Sequence, residues 1–221
     1  MADLRATQDI QKGEWVHTHN VKSHLDENVA YRYEFNANTP AKATAKFMGY
    51  KRKNGRAGIR NEIYIILTVG CVNNACMRMA KEAQKLITGS IDGIYALNHQ
   101  FGCSQFGEDN ENIKKLLCSI ALNPNASFVL FVGLGCENNG MDGIKEYLAP
   151  YNRDNIEYFN CQDVEDEHAY GMEILEAFAK KASKLQREEV DISELCIGLK
   201  CGGSDGYSGL TANPLVGKIT D

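Results

Sequence analysis

From Phe47 onward, short apolar runs alternate with stretches whose apolar residues recur every three or four positions, and that alternation leaves few folds open. Runs at residues 63–69, 91–97, 128–132, 156–160 and 195–199 have the length and composition of buried strands. Between them, residues 73–86, 110–122, 142–148 and 166–185 carry helical periodicity. In 110–122, Ile113, Leu116, Leu117, Ile120 and Ala121 share one face, and Pro124 forbids continuation. In 73–86 the inward side would be Met77, Met79, Ala80, Ala83 and Leu86. Such succession predicts an α/β fold: a Rossmann-like, mostly parallel sheet of about five strands, connected by right-handed crossovers and flanked by helices.

The amino-terminal part has a different texture. A turn at Lys12-Gly13 feeds a strand from Glu14, and residues 21–46 are polar, dotted with aromatics and aperiodic. One strand and a turn cannot bury a core. Residues 1–46 therefore read as the end of a small β module plus a linker, and 47–221 as the α/β domain, which a basic Gly-rich turn at 49–60 introduces. Past residue 206 the sequence runs to Asp221 without a closing helix or stop signal, so the domain is expected to be truncated at its carboxyl end.

In a parallel sheet all strand carboxyl ends share one edge, where open α/β sheets bind ligands. Four of the eight cysteines fall just beyond such ends: Cys71, Cys103, Cys136 and Cys201. Four separated segments would then meet in one crevice. No pair among them has C-x-x-C spacing, so the strong zinc and iron–sulfur signature is missing. Cys76, Cys118 and Cys196 sit inside predicted helices or a strand and read as core.

Composition narrows the partners. With 221 residues, 43% hydrophobic and 24% charged, the chain can bury one good core. No apolar stretch approaches the roughly 20 residues that span a bilayer, and the polar start has no signal-peptide h-region. The expectation is a cytoplasmic protein with reduced thiols and no membrane partner. A net charge of −5, without a basic stripe carrying interleaved aromatics, argues against nucleic acid. The basic run at 51–56 is then a solvated turn, although Arg60, abutting the first strand, has the alternative of clamping a small carboxylate through paired hydrogen bonds.

Three loops repeat one theme of glycine, cysteine and polar acceptors: 97–109 (LNHQFGCSQFGED), 132–139 (VGLGCENN) and 199–208 (LKCGGSDGYS). Singly, His99 reads equally well as a satisfied histidine and Cys103 as a small buried hydrophobe; the repetition favours a site. Gly-rich turns expose backbone N–H groups that suit a carboxylate or phosphate. Without Gly-Lys-Ser/Thr or G-x-G-x-x-G, a nucleotide is disfavoured. His17 and His19, two apart, would project to one face of a strand and reach one metal ion or one anion, though H-x-H on an exposed strand is commonly inert. His24 and His168 read as surface residues.

Together, GRAGIRNE with the following TVGCVN, HQFGCSQFGED, GLGCENN and KCGGSDGYSGLTANP resemble the altronate and galactarate dehydratase family of sugar-acid dehydratases over nearly the whole chain. The segment DIQKGEWVHTHN is similar to the end of the β-clip (SAF-like) module that opens these enzymes, and the family's proteins are longer at both ends. The resemblance implies a carbon–oxygen lyase that converts D-altronate to 2-keto-3-deoxy-D-gluconate plus water. Galactarate dehydration, sulfolactate sulfo-lyase chemistry and a non-catalytic sugar-acid or metal-binding module are the alternatives.

This reaction removes the proton beside a carboxylate, so the enediolate-like intermediate calls for positive charge, as a divalent ion would supply. Iron(II) or manganese(II) is the implied cofactor, with His17 and His19 as ligands; an iron–sulfur cluster is disfavoured. Further roles implied by the resemblance are His99 as general acid or base, with Cys103, Cys136 and Glu137 near the bound acid. Arg60 and Asn61 would grip the carboxylate, while Cys71, Cys201, Ser204 and Asp205 would contact the remainder of the substrate. The expected partner is a small sugar acid, and assembly as a homo-oligomer is compatible with the sequence.

Overall fold

The computed structural model describes residues 4–23, 44–53, 55–151, 154–200, 208–209 and 211–220. Its strands are β1 (Leu4–Ala6), β2 (Val21–Ser23), β3 (Lys46–Lys51), β4 (Ala57–Gly58), β5 (Glu62–Leu67), β6 (Gly93–Leu97), β7 (Ala126–Gly133), β8 (Ile156–Asn160) and β9 (Glu188–Asp191). Its α-helices are α1 (Asn73–Ala83), α2 (Gly107–Ala121), α3 (Met141–Leu148), α4 (Glu167–Ala182) and α5 (Ala212–Thr220). Contacts divide the chain into two units, one of residues 1–43 with 196–221 and one of residues 44–195.

In the larger unit, β5 reads Glu-Ile-Tyr-Ile-Ile-Leu and has too many apolar side chains for one covered face. It therefore lies inside a parallel sheet with helices on both sides. The sheet order is β6-β5-β7-β8, all parallel, as expected for an α/β fold. Alternate residues divide between two cores: Ile63, Ile65 and Leu67 pack with Leu130 and Val132 beneath α1 and α4, while Ile66 packs with Val129 and Phe131 beneath α2 and α3. Ile63, Ile65, Ile66 and Leu67 are fully buried, each contributing roughly 1.5–3 kcal/mol relative to exposure. Asp166 caps α4, its Oδ1 accepting from the N–H groups of His168 and Ala169, and Lys180 and Lys181 occupy the last turn, where the helix dipole favours positive charge.

Four expectations are corrected. Residues 195–199 are not a strand: the described parallel sheet has four strands, and the chain instead forms β9 at 188–191, antiparallel to β3. Only Val190 of β9 is buried, which explains why the apolar pattern missed it. The basic stretch at 49–60 is part of a β3–β4 hairpin rather than a turn alone, giving a separate antiparallel sheet ordered β4-β3-β9. Residues 14–19 are irregular chain leading into a turn rather than a strand, lying between the antiparallel β1 and β2. Lastly, helix α5 does form near the end of the chain. No helix among the described residues is long and apolar enough to cross a membrane.

Candidate active site

The order β6-β5-β7-β8 places a topological switch between β5 and β7, because the connections from these neighbours lead to opposite faces of the sheet. Crevices at such points are the usual ligand sites of open α/β folds. Main-chain hydrogen bonds tie the loops at this edge together: Gly70 N–H donates to Phe101 C=O at 2.8 Å, Asn138 N–H to Cys103 C=O at 3.1 Å, and Gln162 N–H to Leu134 C=O at 3.1 Å.

His99 lies in the loop after β6, 6% exposed. The Asn73 side chain, at the start of α1, clasps its backbone from both sides, accepting from His99 N–H and donating to His99 C=O, each at 2.9 Å. The imidazole Nδ1 lies 3.1 Å from both the N–H and the C=O of Phe101, while buried Nε2 has no partner. Phe101 can therefore accept from a protonated Nδ1 or donate to a bare one, leaving Nε2 to take or release a proton. Burial holds the His99 pKa below its ordinary value, against the opposing pull of the Phe101 carbonyl and the Glu137 charge. The ring is thus neutral near pH 7.

Glu137 follows β7 and is 7% exposed. Burial alone would raise its pKa, but the Thr68 hydroxyl and the N–H groups of Gly135, Glu137 and Leu134 outweigh burial and hold the carboxyl below its ordinary range. Thr68 donates to Oε1, joined by Leu134 N–H at 3.1 Å, and Gly135 N–H donates to Oε2 at 2.7 Å. Gly133 makes this approach possible: a Cβ there would lie 2.5 Å from Glu137 Oε1, 2.7 Å from Asn160 Oδ1 and 3.0 Å from Thr68 Oγ1. Gly135, at φ +119°, sits in a region that side-chain-bearing residues rarely adopt.

Of the expected site residues, His99 and Glu137 both follow strands at this edge, near enough for the Glu137 charge to act on the imidazole, with exposed Cys71, Cys103 and Cys136 in the segments after β5, β6 and β7. Arg60 and Asn61 do not join them. They precede β5, at the opposite edge, because strand direction fixes which end each residue occupies. Asn61 is fully buried and structural, its Nδ2 donating to Ser90 C=O, Ser90 Oγ and Ala182 C=O at 3.0–3.1 Å. Arg60 instead pairs with Glu62 at 2.8 Å. His17 and His19 lie in the other unit, where the Trp15 ring stacks on His17 with centroids 4.7 Å apart. Cys201, Ser204, Asp205 and His24 are outside the described residues.

Thr68, Asn73 and Asn160 escaped the sequence reading, although a polar residue at the end of an apolar run was available as a signal. Cys161 was also missed, yet it follows β8 as the other cysteines follow their strands. It is half-buried, and burial with nearby Glu167 and Glu137 pushes its thiol up to about 11. Among the described residues no three His, Cys, Asp or Glu side chains form a group that could hold a metal ion. These residues alone therefore do not make the iron or manganese centre expected from the resemblance, since His17 and His19 supply only two donors.

A buried neutral imidazole beside an ionised carboxylate, at the switch point of a doubly wound sheet, defines an α/β domain suited to proton transfer on a small polar ligand. Residues 49–183 match the family model for the second domain of D-galactarate dehydratase/altronate hydrolase, and residues 192–221 the model for the D-galactarate/altronate dehydratase C-terminal domain. The chain belongs to this family. It is 44% identical, over 98% of its length, to altronate dehydratase of Bacillus subtilis (strain 168), and 38% identical over 98% to that of Escherichia coli (strain K12). It is also 37% identical, over 79% of its length, to (2R)-sulfolactate sulfo-lyase subunit beta of Chromohalobacter salexigens. The chain spans 44%, 44% and 43% of these relatives, respectively, less than half of each.

Proposed function

We propose that the crevice at the carboxyl edge dehydrates a sugar acid, converting D-altronate into 2-keto-3-deoxy-D-gluconate plus water. The observation that carries this reading is His99, a buried imidazole with an unpartnered Nε2 beside ionised Glu137, in a chain of a sugar-acid dehydratase family.

In the proposed cycle, Nε2 takes the C2 proton while Nδ1–H donates to the Phe101 carbonyl. The imidazolium is then acidic enough to deliver that proton to the departing C3 hydroxyl, which leaves as water, and the enol becomes the ketone. Glu137 uses its oxygens on Thr68, Leu134 and Gly135, so it is a positioning residue whose charge favours the transient imidazolium rather than a base. Cys71, Cys103 and Cys136 would meet the substrate at the rim. Cys201, Ser204 and Asp205 keep their proposed part in substrate binding. A separate part of the proposal is iron(II) or manganese(II), with His17 and His19 as two donors; no step above uses it. Metal analysis of the native chain against H17A/H19A checks that part.

The test is to supply the chain with D-altronate, D-galactarate or (2R)-sulfolactate under anaerobic conditions with iron(II), measuring 2-keto acid and sulfite. Turnover of altronate that falls at least about 100-fold in His99→Gln is expected. Sulfite release from sulfolactate would select the sulfo-lyase reading. Altronate binding without turnover would select a binding module. No binding of any of the three overturns the proposal.

A further inference from the structure

Beyond the Glu137 loop, the larger unit holds a cavity of about 340 Å³ between the ends of β7 and β8, the first turn of α3 and Lys114 of α2. This size lies within the range of small-molecule pockets. Apart from Met141, the side chains lining it are polar: Lys114, Asn138, Asp142 and Asn160. They offer donors and acceptors in one space, which apolar ligands cannot use and a chain of hydroxyls can. Asn160 lies with Glu137 Oε1 and Thr68 Oγ1 around Gly133, so the cavity adjoins the proposed catalytic centre.

The lysine of this lining is what points to a ligand. Lys114 is mostly covered, its side chain 18% exposed, and its ammonium lies 2.7 Å from Glu111, one turn back on the same helix. An ammonium has three donors, so it can hold Glu111 and still reach a ligand oxygen. Gly143 leaves the space beside Lys114 open, a Cβ there being 3.5 Å from Lys114 Cε.

We propose that this cavity is the polyol subsite of the dehydratase: it takes the hydroxylated carbons of a sugar acid beyond C3, with the Asp142 carboxylate accepting from one hydroxyl and Lys114 donating to another. The inference rests on the function proposed above and names what selects a long sugar acid over a short hydroxy acid. Lys114 and Asp142 are then specificity residues, separate from His99.

The test measures dissociation constants of the 221-residue chain for D-altronate and for D-glycerate, which has no carbon past C3, by calorimetry. Two variants are compared with native protein: Lys114→Gln, which removes the charge, and Gly143→Leu, which places a helix-compatible side chain toward the cavity. Each should weaken altronate about tenfold or more and leave glycerate within about twofold. Retained thermal unfolding confirms folding of each variant. Altronate affinity unchanged in both variants, or glycerate weakened in parallel, overturns the subsite while the dehydratase reading stands. A native chain that takes up no altronate overturns both.

Discussion

Gly133→Ala tests the packing around Glu137 directly. An alanine Cβ would lie 2.5 Å from Glu137 Oε1, 2.7 Å from Asn160 Oδ1 and 3.0 Å from Thr68 Oγ1. None of these is a comfortable carbon–oxygen separation, and the Glu137 carboxylate cannot turn away without giving up its bonds from Thr68, Leu134 and Gly135. Overpacking of this kind costs roughly 1–3 kcal/mol. Displacing Glu137 also disrupts hydrogen bonds to a charged group, worth about 1.5–3 kcal/mol each. If one such bond is lost, a total near 3 kcal/mol is a conservative sum, and at about 2–4 °C per kcal/mol for a unit of this size the melting temperature falls by about 6–12 °C. Differential scanning calorimetry reads this shift. Gly143→Ala is the control, since its Cβ meets Lys114 only at ordinary contact distances of 3.5 Å and beyond. A shift below about 2 °C for Gly133→Ala, equal to the control, would refute the claim that three oxygens fill the space a side chain would need.

Glu137 ionises more readily in the folded protein than in the unfolded chain, so its contribution to stability is fully present above the unfolded pKa of about 4.3 and fades as pH falls through the lower folded value. Urea unfolding of native protein and Glu137→Gln should therefore differ most near neutral pH and converge in acid; a constant difference would refute this. For His99 the folded pKa is lowered, so the neutral ring stabilises the fold above about pH 6.5 and that contribution declines as pH drops toward the folded value. An NMR titration of its ring proton should give a midpoint below 6.5, and a midpoint at or above it contradicts the burial described. Asn61→Ala should cost about 1–3 kcal/mol by leaving the Ser90 and Ala182 carbonyls without its amide donor, measured by urea unfolding. Arg60→Ala should leave altronate affinity within about twofold, and a larger loss in calorimetry would return Arg60 to the site.

The sheet was legible in sequence because its central strands β5 and β7 are apolar on both faces and the outer strands β6 and β8 still carry short apolar runs, which gave all four within a few residues. β9 was not legible, since a polar edge strand with one buried valine resembles a loop. His99 and Glu137 were readable as polar residues just past strand ends. Their distinguishing property was not, because an unpartnered Nε2 and a carboxylate satisfied by three donors depend on neighbours 26–69 positions away as well as local backbone. Arg60 and Asn61 were misplaced for a simpler reason: they precede the strand, so chain direction puts them at its amino end, away from the crevice.

The stitching of Gly70 to Phe101, Cys103 to Asn138, and Leu134 to Gln162 uses main-chain atoms alone. Apart from proline, and from the glycines at 70, 133 and 135 that leave no room for a Cβ or take a positive φ, those bonds ask nothing of the side chains, so much of the rim can exchange them without loosening its frame. Lengthening one of these loops would instead pull on the next. New substrate preferences in such an architecture should therefore arise by replacement of residues and not by insertion of them.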